Sequence, residues 1–150
     1  MKASNWGGLT PDPSRYFGFI YRITDVDTSR MYVGKKQYHS AISNVYGCKT
    51  KVTDRQNPKW KDKCWKESNW KSYKGSSKEF SKHMKENPTH KYKYEILYQC
   101  RSRQELHYKE LKVLWDLDVL TTKLPNGDYQ YFNQGIGAIK FRPREYQDDN

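Results

Sequence analysis

The chain is poor in cysteine, in acidic residues and in long apolar runs, and each shortage narrows what it can be. Its three cysteines, Cys48, Cys64 and Cys100, are odd in number and widely spaced. They form neither a paired disulfide framework nor a CxxC metal knuckle, and such usage fits free or buried thiols in a reducing compartment, the alternative being a zinc site that combines them with His39, His83 or His90. No apolar run reaches the roughly 18 residues of a membrane span, and no leader-like stretch opens the sequence. A soluble, cytoplasmic protein with no membrane partner is expected. Aliphatic residues are also sparse. The chain is 35% hydrophobic yet 15% aromatic, with 13 Tyr and 5 Trp, so much of its core must come from rings that carry a polar tip. A mean hydropathy of −1.15 approaches the disordered range, but aromatic and β-branched clusters recur at intervals, as in a folded domain with a modest core. At 150 residues the length suits one domain.

What is abundant is positive charge, and it is unevenly placed. Sixteen of the 28 basic residues but five of the 17 acidic ones lie within residues 35–93, so this segment carries essentially the whole excess of +11. Such a field attracts polyanions, phosphate backbones above all. The plainer alternative is a solvated basic face. Aromatic residues interleaved with the lysines favour nucleic acid.

Local patterns predict a small α+β fold. Residues 17–24 (FGFIYRIT) and 31–34 read as two strands joined by a turn at 25–29, which makes an antiparallel hairpin. A helix beginning near Glu79, capped by Ser77, should stop before Pro88. Residues 92–100 read as a third strand, and Ser102 with Glu105 gives a capping box that opens a second helix to about Asp118. Residues 131–139 read as a last short strand or extended segment. The expected fold is thus a small antiparallel sheet of three or so strands flanked by helices. Residues 1–16 read as a flexible arm, 17–141 as the domain with a basic insertion at about 37–70, and 142–150 as a tail.

Four features stand out as chemistry. Ile20-Tyr21 lies on the first strand and Tyr32-Val33-Gly34 on the second, with the tyrosines eleven residues apart. Glu110 lies in the late helix with Leu114 one turn on, and Asn133 follows within Tyr131-Phe132-Asn133-Gln134-Gly135. Lys35-Lys36 directly follow Gly34, and Trp70-Lys71-Ser72-Tyr73-Lys74-Gly75-Ser76-Ser77 comes later. A phenol beside a phosphate can orient or deprotonate water if its pKa is lowered. One carboxylate can hold one hydrated divalent ion. Taken singly, the tyrosines could be aromatic packing, Glu110 an exposed helix residue and Asn133 a loop residue.

As an ordered set, these features resemble the GIY-YIG nuclease family over roughly residues 17–137, and specifically its phage-type free-standing branch, in which Gly-Lys-Lys and Trp-x-x-Tyr-x-Gly-Ser-Ser follow the hairpin. The first motif departs from the family's Gly-Ile-Tyr by reading Phe19-Ile20-Tyr21. The arginine that many members carry about eight residues after the second motif is absent, since Ile42 stands there.

The resemblance implies a metal-dependent endonuclease that hydrolyses DNA with Mg2+ or Mn2+ held by Glu110. Tyr21 would serve as general base or water positioner, Tyr32 would support the nucleophile, and Asn133 would hold the site's geometry. Lys36 would neutralise transition-state charge, with Lys35 as second candidate. Tyr73, Ser76 and His39 are further candidates for catalytic or phosphate-contacting roles. Lys59, Lys61, Lys63, Lys71 and Lys74 are expected to bind DNA. The alternative is a catalytically impaired nucleic-acid-binding module of the same fold, and a third reading is a basic structural protein of a nucleoprotein assembly. The branch implies a homing or host-DNA-cleaving enzyme acting in a host cytoplasm. The sequence leaves the oligomeric state open.

Overall fold

The structure, a computed structural model, describes residues 4–41 and 65–142. Strand β1 covers Gly7–Gly8, β2 Gly18–Asp25, β3 Met31–Gln37, β4 His39–Ala41 and β5 Trp65–Glu67. Helix α1 spans Lys78–Glu86, β6 Tyr92–Cys100 and α2 Arg103–Asp116. The main sheet has the order β1-β6-β2-β3, and β4 pairs with β5 in a separate ribbon.

The hairpin forms as its turn chemistry dictates. Asp25 Oδ1 accepts from the backbone N–H groups of Asp27 and Thr28 at 3.0 and 3.3 Å, closing an Asx-type turn. The pairing runs from Gly18 opposite Gln37 to Thr24 opposite Met31 and sets Tyr21 across from Gly34. Both helices start at the caps their sequences encode. Ser77 Oγ accepts from Phe80 N–H, and Ser102 Oγ accepts from Glu105 N–H. Glu105 reaches back to the Arg101 N–H at 3.3 Å, one residue before the position a standard capping box uses.

Alternation along the strands sorts the core into two layers. Phe17, Ile20, Val33 and Cys100 face α2, where Leu106, Val113 and Leu114 complete a cluster with Trp65, Val119 and Leu120. Phe19, Tyr21, Ile23 and Ile96 face the other way, into a ring-rich layer with Trp6, Tyr38, Trp70, Phe80 and Phe132. A register shift opposite Ile20 and Tyr21 skips Leu97 in β6, a bulge that turns Leu97 and Tyr98 to the α2 side.

The expected α+β fold, a small sheet with helices, is what the structure has, and four details differ from the expectation. The sheet is four-stranded and mixed, because β1 pairs in parallel with β6. That strand belongs to the segment read as a flexible arm, which packs where it is described. Trp6 is buried, and its indole N–H donates to the Trp70 carbonyl at 2.6 Å. Polar, Gly and Pro composition hid a single aromatic anchor. Within the expected basic insertion, His39–Ala41 pairs with Trp65–Glu67 as a two-stranded ribbon. Lys59, Lys61 and Lys63 lie outside the described residues, as do Cys48 and Cys64. Of the expected tail, Arg142 is part of the domain, donating to the carbonyls of Leu120, Tyr131 and Asn133.

Candidate active site

The site is built around β3, the last strand of the main sheet. Tyr32 takes the ring-rich face and Val33 the aliphatic one. A Cβ at Gly34 would sit 2.5 Å from the Tyr21 hydroxyl, so only glycine lets this phenol cross the strand. The Tyr21 and Tyr32 rings lie 6.2 Å apart, and Tyr73 meets Tyr21 edge-on at 5.8 Å. Gly75, at a φ of 94°, turns the chain so that the exposed Ser76 lies over the pair, 3.1 Å from the Tyr32 hydroxyl. Trp70-Lys71-Ser72, a 3-10 turn, and the Ser77 cap hold this loop in place.

The two phenols differ in environment. Tyr21 is fully buried, and its hydroxyl makes no well-formed hydrogen bond among the described residues. Burial first, then the neighbouring Tyr32 and Tyr73, pushes its pKa far above the usual phenol range. Tyr32 is half-buried. Burial raises its pKa too, the Ser76 hydrogen bond opposes that, and the Glu110 charge raises it further. Burial therefore argues against Tyr21 as a base and for a positioning role.

Glu110 comes from α2, on the aliphatic side of the sheet. The phenols and the carboxylate thus approach β3 from opposite faces. Burial raises the Glu110 pKa, while Lys35 and His107 oppose the rise. Lys35 Nζ is 3.7 Å from Glu110 Oε1 and 3.0 Å from His107 Nδ1. Lys36, next along the strand, points the other way and holds its Nζ 4.2 Å from the Tyr73 ring centre. Its pKa is lowered by burial. A cavity of about 310 Å³ joins the two sides, lined by Lys35, Lys36, Gln37, Ser40, Tyr73, Arg103 and Leu106.

Asn133 is buried, and both arms of its amide are spent on β3. Its Oδ1 accepts from Val33 N–H at 3.1 Å, and its Nδ2 donates to the Val33 carbonyl at 2.8 Å. It continues the parallel bridge between Met31 and Tyr131, with a side chain standing in for a strand. The amide thus fixes the Tyr32-Val33-Gly34 motif directly.

The structure gathers Tyr21, Tyr32, Tyr73, Ser76 and Lys36 on one side and Lys35 with Glu110 on the other. His39 lies on β4 opposite Glu67. Lys71 pairs with Glu67 at 3.5 Å, and Lys74 is exposed. His107 escaped the sequence reading. Its signal was available, because it precedes Glu110 by three residues and shares that helix face.

A paired-phenol hairpin pinned by an asparagine, with two lysines lining a basic cavity and a half-buried glutamate against one of them, is the architecture of a GIY-YIG nuclease domain. Residues 5–136 match the family model described as "Putative endonuclease segE, GIY-YIG domain". The chain belongs to that family, the segE type of GIY-YIG endonuclease. No curated protein and no solved structure matches it.

Proposed function

We propose that this domain hydrolyses DNA phosphodiester bonds in a Mg2+- or Mn2+-dependent reaction, in the manner of a phage homing or host-DNA-cleaving enzyme working in a host cytoplasm. The observation that carries this reading is the phenol pair packed at Gly34 of β3, followed on the same strand by Lys35 and Lys36, which line a basic cavity, with Glu110 3.7 Å from Lys35.

The donor set suits the metal. Glu110 offers one half-buried carboxylate, an oxygen ligand. Hard, largely hydrated ions accept such a set. The Lys35 contact at 3.7 Å involves a side chain 37% exposed, a weak pairing that an ion can displace. Glu110 would hold the ion, which when bound supplies Lewis acidity and charge neutralisation at the leaving oxygen.

The chain's own residues do the rest. Tyr32, with its hydroxyl fixed by Ser76, orients the attacking water. Tyr21 keeps its proton and supports Tyr32 from behind, across Gly34. Lys35 and Lys36 face the phosphate from the two sides of β3 and stabilise the charge that builds on it. Water oxygen bonds to phosphorus as the bond to the 3′ oxygen breaks, leaving 3′-hydroxyl and 5′-phosphate ends. Lys59, Lys61, Lys63, Lys71 and Lys74 bind flanking phosphates. Affinity should then fall with salt at about −0.9 log units per contact, a slope of roughly −4 to −7.

Plasmid DNA incubated with Mg2+ tests the reading. Wild type should nick and linearise it, and Glu110→Gln should lose about a hundredfold or more while still binding DNA. Wild-type binding without cleavage under any divalent metal would instead establish the impaired binding module, a reading favoured by the burial of Tyr21 and the missing family arginine.

A further inference from the structure

A second cluster of polar groups lies away from Glu110, where the hairpin end meets α1. Asp25, the last residue of β2, is fully buried. Its Oδ2 takes two imidazoles at once, His83 Nε2 at 2.6 Å and His90 Nδ1 at 2.8 Å. The three atoms lie within 4.8 Å of one another. His83 belongs to α1 and His90 to the turn before β6, so three separate segments converge. We propose that Asp25, His83 and His90 form a binding site for a transition-metal ion, with zinc the best match. It is distinct from the Glu110 site and fastens α1 to the hairpin.

The chemistry favours zinc over magnesium. Two imidazole nitrogens and one carboxylate oxygen are ligands that zinc accepts and magnesium does not seek. The carboxylate is preset for the role. Its Oδ1 is engaged by the Asp27 and Thr28 N–H groups, so Oδ2 alone points at the rings. The Asn87 side-chain amide donates to the His83 carbonyl at 2.9 Å, which holds the backbone that carries this ring.

His83 is further held by packing on Phe80 and Phe132. The His83 and His90 side chains are 14% and 26% exposed, which leaves an approach for the ion and room for water as fourth ligand. The present N···O separations are those of hydrogen bonds. Tetrahedral zinc, with bonds of about 2.0–2.1 Å, spaces its ligands at about 3.3 Å, so each ring withdraws by roughly half an ångström.

The consequence is local rigidity. Helix α1 begins at the Ser77 cap, directly after the Ser76 that touches Tyr32. Anchoring this helix through His83 steadies the wall over the phenol pair.

Metal-free full-length protein titrated with Co2+, a spectroscopic stand-in for zinc, decides the question. One equivalent should bring up the visible absorption of a four-coordinate ion, zinc should displace it, and zinc should raise the melting temperature. His90→Gln, at the most exposed ligand, should weaken binding about a hundredfold or more and abolish the zinc-dependent rise in melting temperature. His83→Gln and Asp25→Asn should do the same where they fold. Glu110→Gln and Cys48→Ser/Cys64→Ser should bind as wild type. No four-coordinate spectrum, a spectrum that survives His90→Gln, or one lost with the cysteines would overturn the site. Mg2+-dependent cleavage through Glu110 is read separately, so failure of either reading leaves the other standing.

Discussion

The two faces of the sheet are built from different materials, and the difference explains where the reactive groups sit. The α2 face is packed largely with Ile, Val and Leu, and its charges, Lys35 and Glu110, sit at the rim. The α1 face is packed with Trp, Tyr and Phe. An aliphatic layer offers no hydrogen-bonding group, so charge must stand beside it. A layer of phenols carries hydroxyls inside it and can bury one, as at Tyr21, while keeping it neutral. The reactive assembly sits where the layers meet, on a strand whose alternate residues belong to each.

Trp6→Ala should break the comparison most severely, because the aromatic layer closes on this indole, which packs against Phe19, Tyr21 and Tyr94. Losing it should cost about 3–5 kcal/mol in chemical denaturation. A loss below 1 kcal/mol would return residues 4–16 to the status of a loose arm. Next comes Gly34→Ala, which tests whether the phenol really crosses β3. The added methyl drives into the Tyr21 ring, and overpacking should cost about 1–3 kcal/mol, with cleavage falling more steeply than stability. An unchanged melting curve would mean Tyr21 has another place to go.

Tyr21→Phe sharpens the contrast between buried and half-buried phenols. Removing a hydroxyl that has no well-formed partner among the described residues should leave stability within about 1 kcal/mol of wild type. Cleavage should fall less than for Tyr32→Phe. The reverse order would make Tyr21 the base after all.

The smallest effect concerns Cys100 on the aliphatic face, where burial pushes the thiol up to about 11 from 9.0. In a Cys48→Ser/Cys64→Ser background, native protein at pH 8 should react with a thiol reagent far more slowly than unfolded protein. The raised value favours the neutral thiol in the folded state. Stability is therefore unaffected below about pH 9 and declines as pH rises from 9 towards 11. Rapid labelling at pH 8 would show that the layer opens readily.

Much of this was legible in the sequence because it is local. The β2–β3 hairpin follows from an Asx turn between β-rich runs, and both helix starts follow from Ser77 and Ser102. The strand over 92–100 has the bounds its residues suggest. Tyr21, Tyr32, Glu110 and Asn133 stood out by order alone. How Asn133 acts did not, since its amide is useful only because a segment a hundred residues away lies beside Val33. The parallel pairing of β1 was hidden for the same reason.

By itself, then, the sequence determined the elements, the uneven charge and the candidate chemistry, since caps, turns and strand alternation act over a few residues. Only tertiary structure decided that Tyr21 is sealed in and that Lys35 and Lys36 serve opposite faces. It also brought His107 to Lys35 and drew Asp25, His83 and His90 to one point. Burial and electrostatics depend on what the chain brings back from far away, and no local pattern contains that.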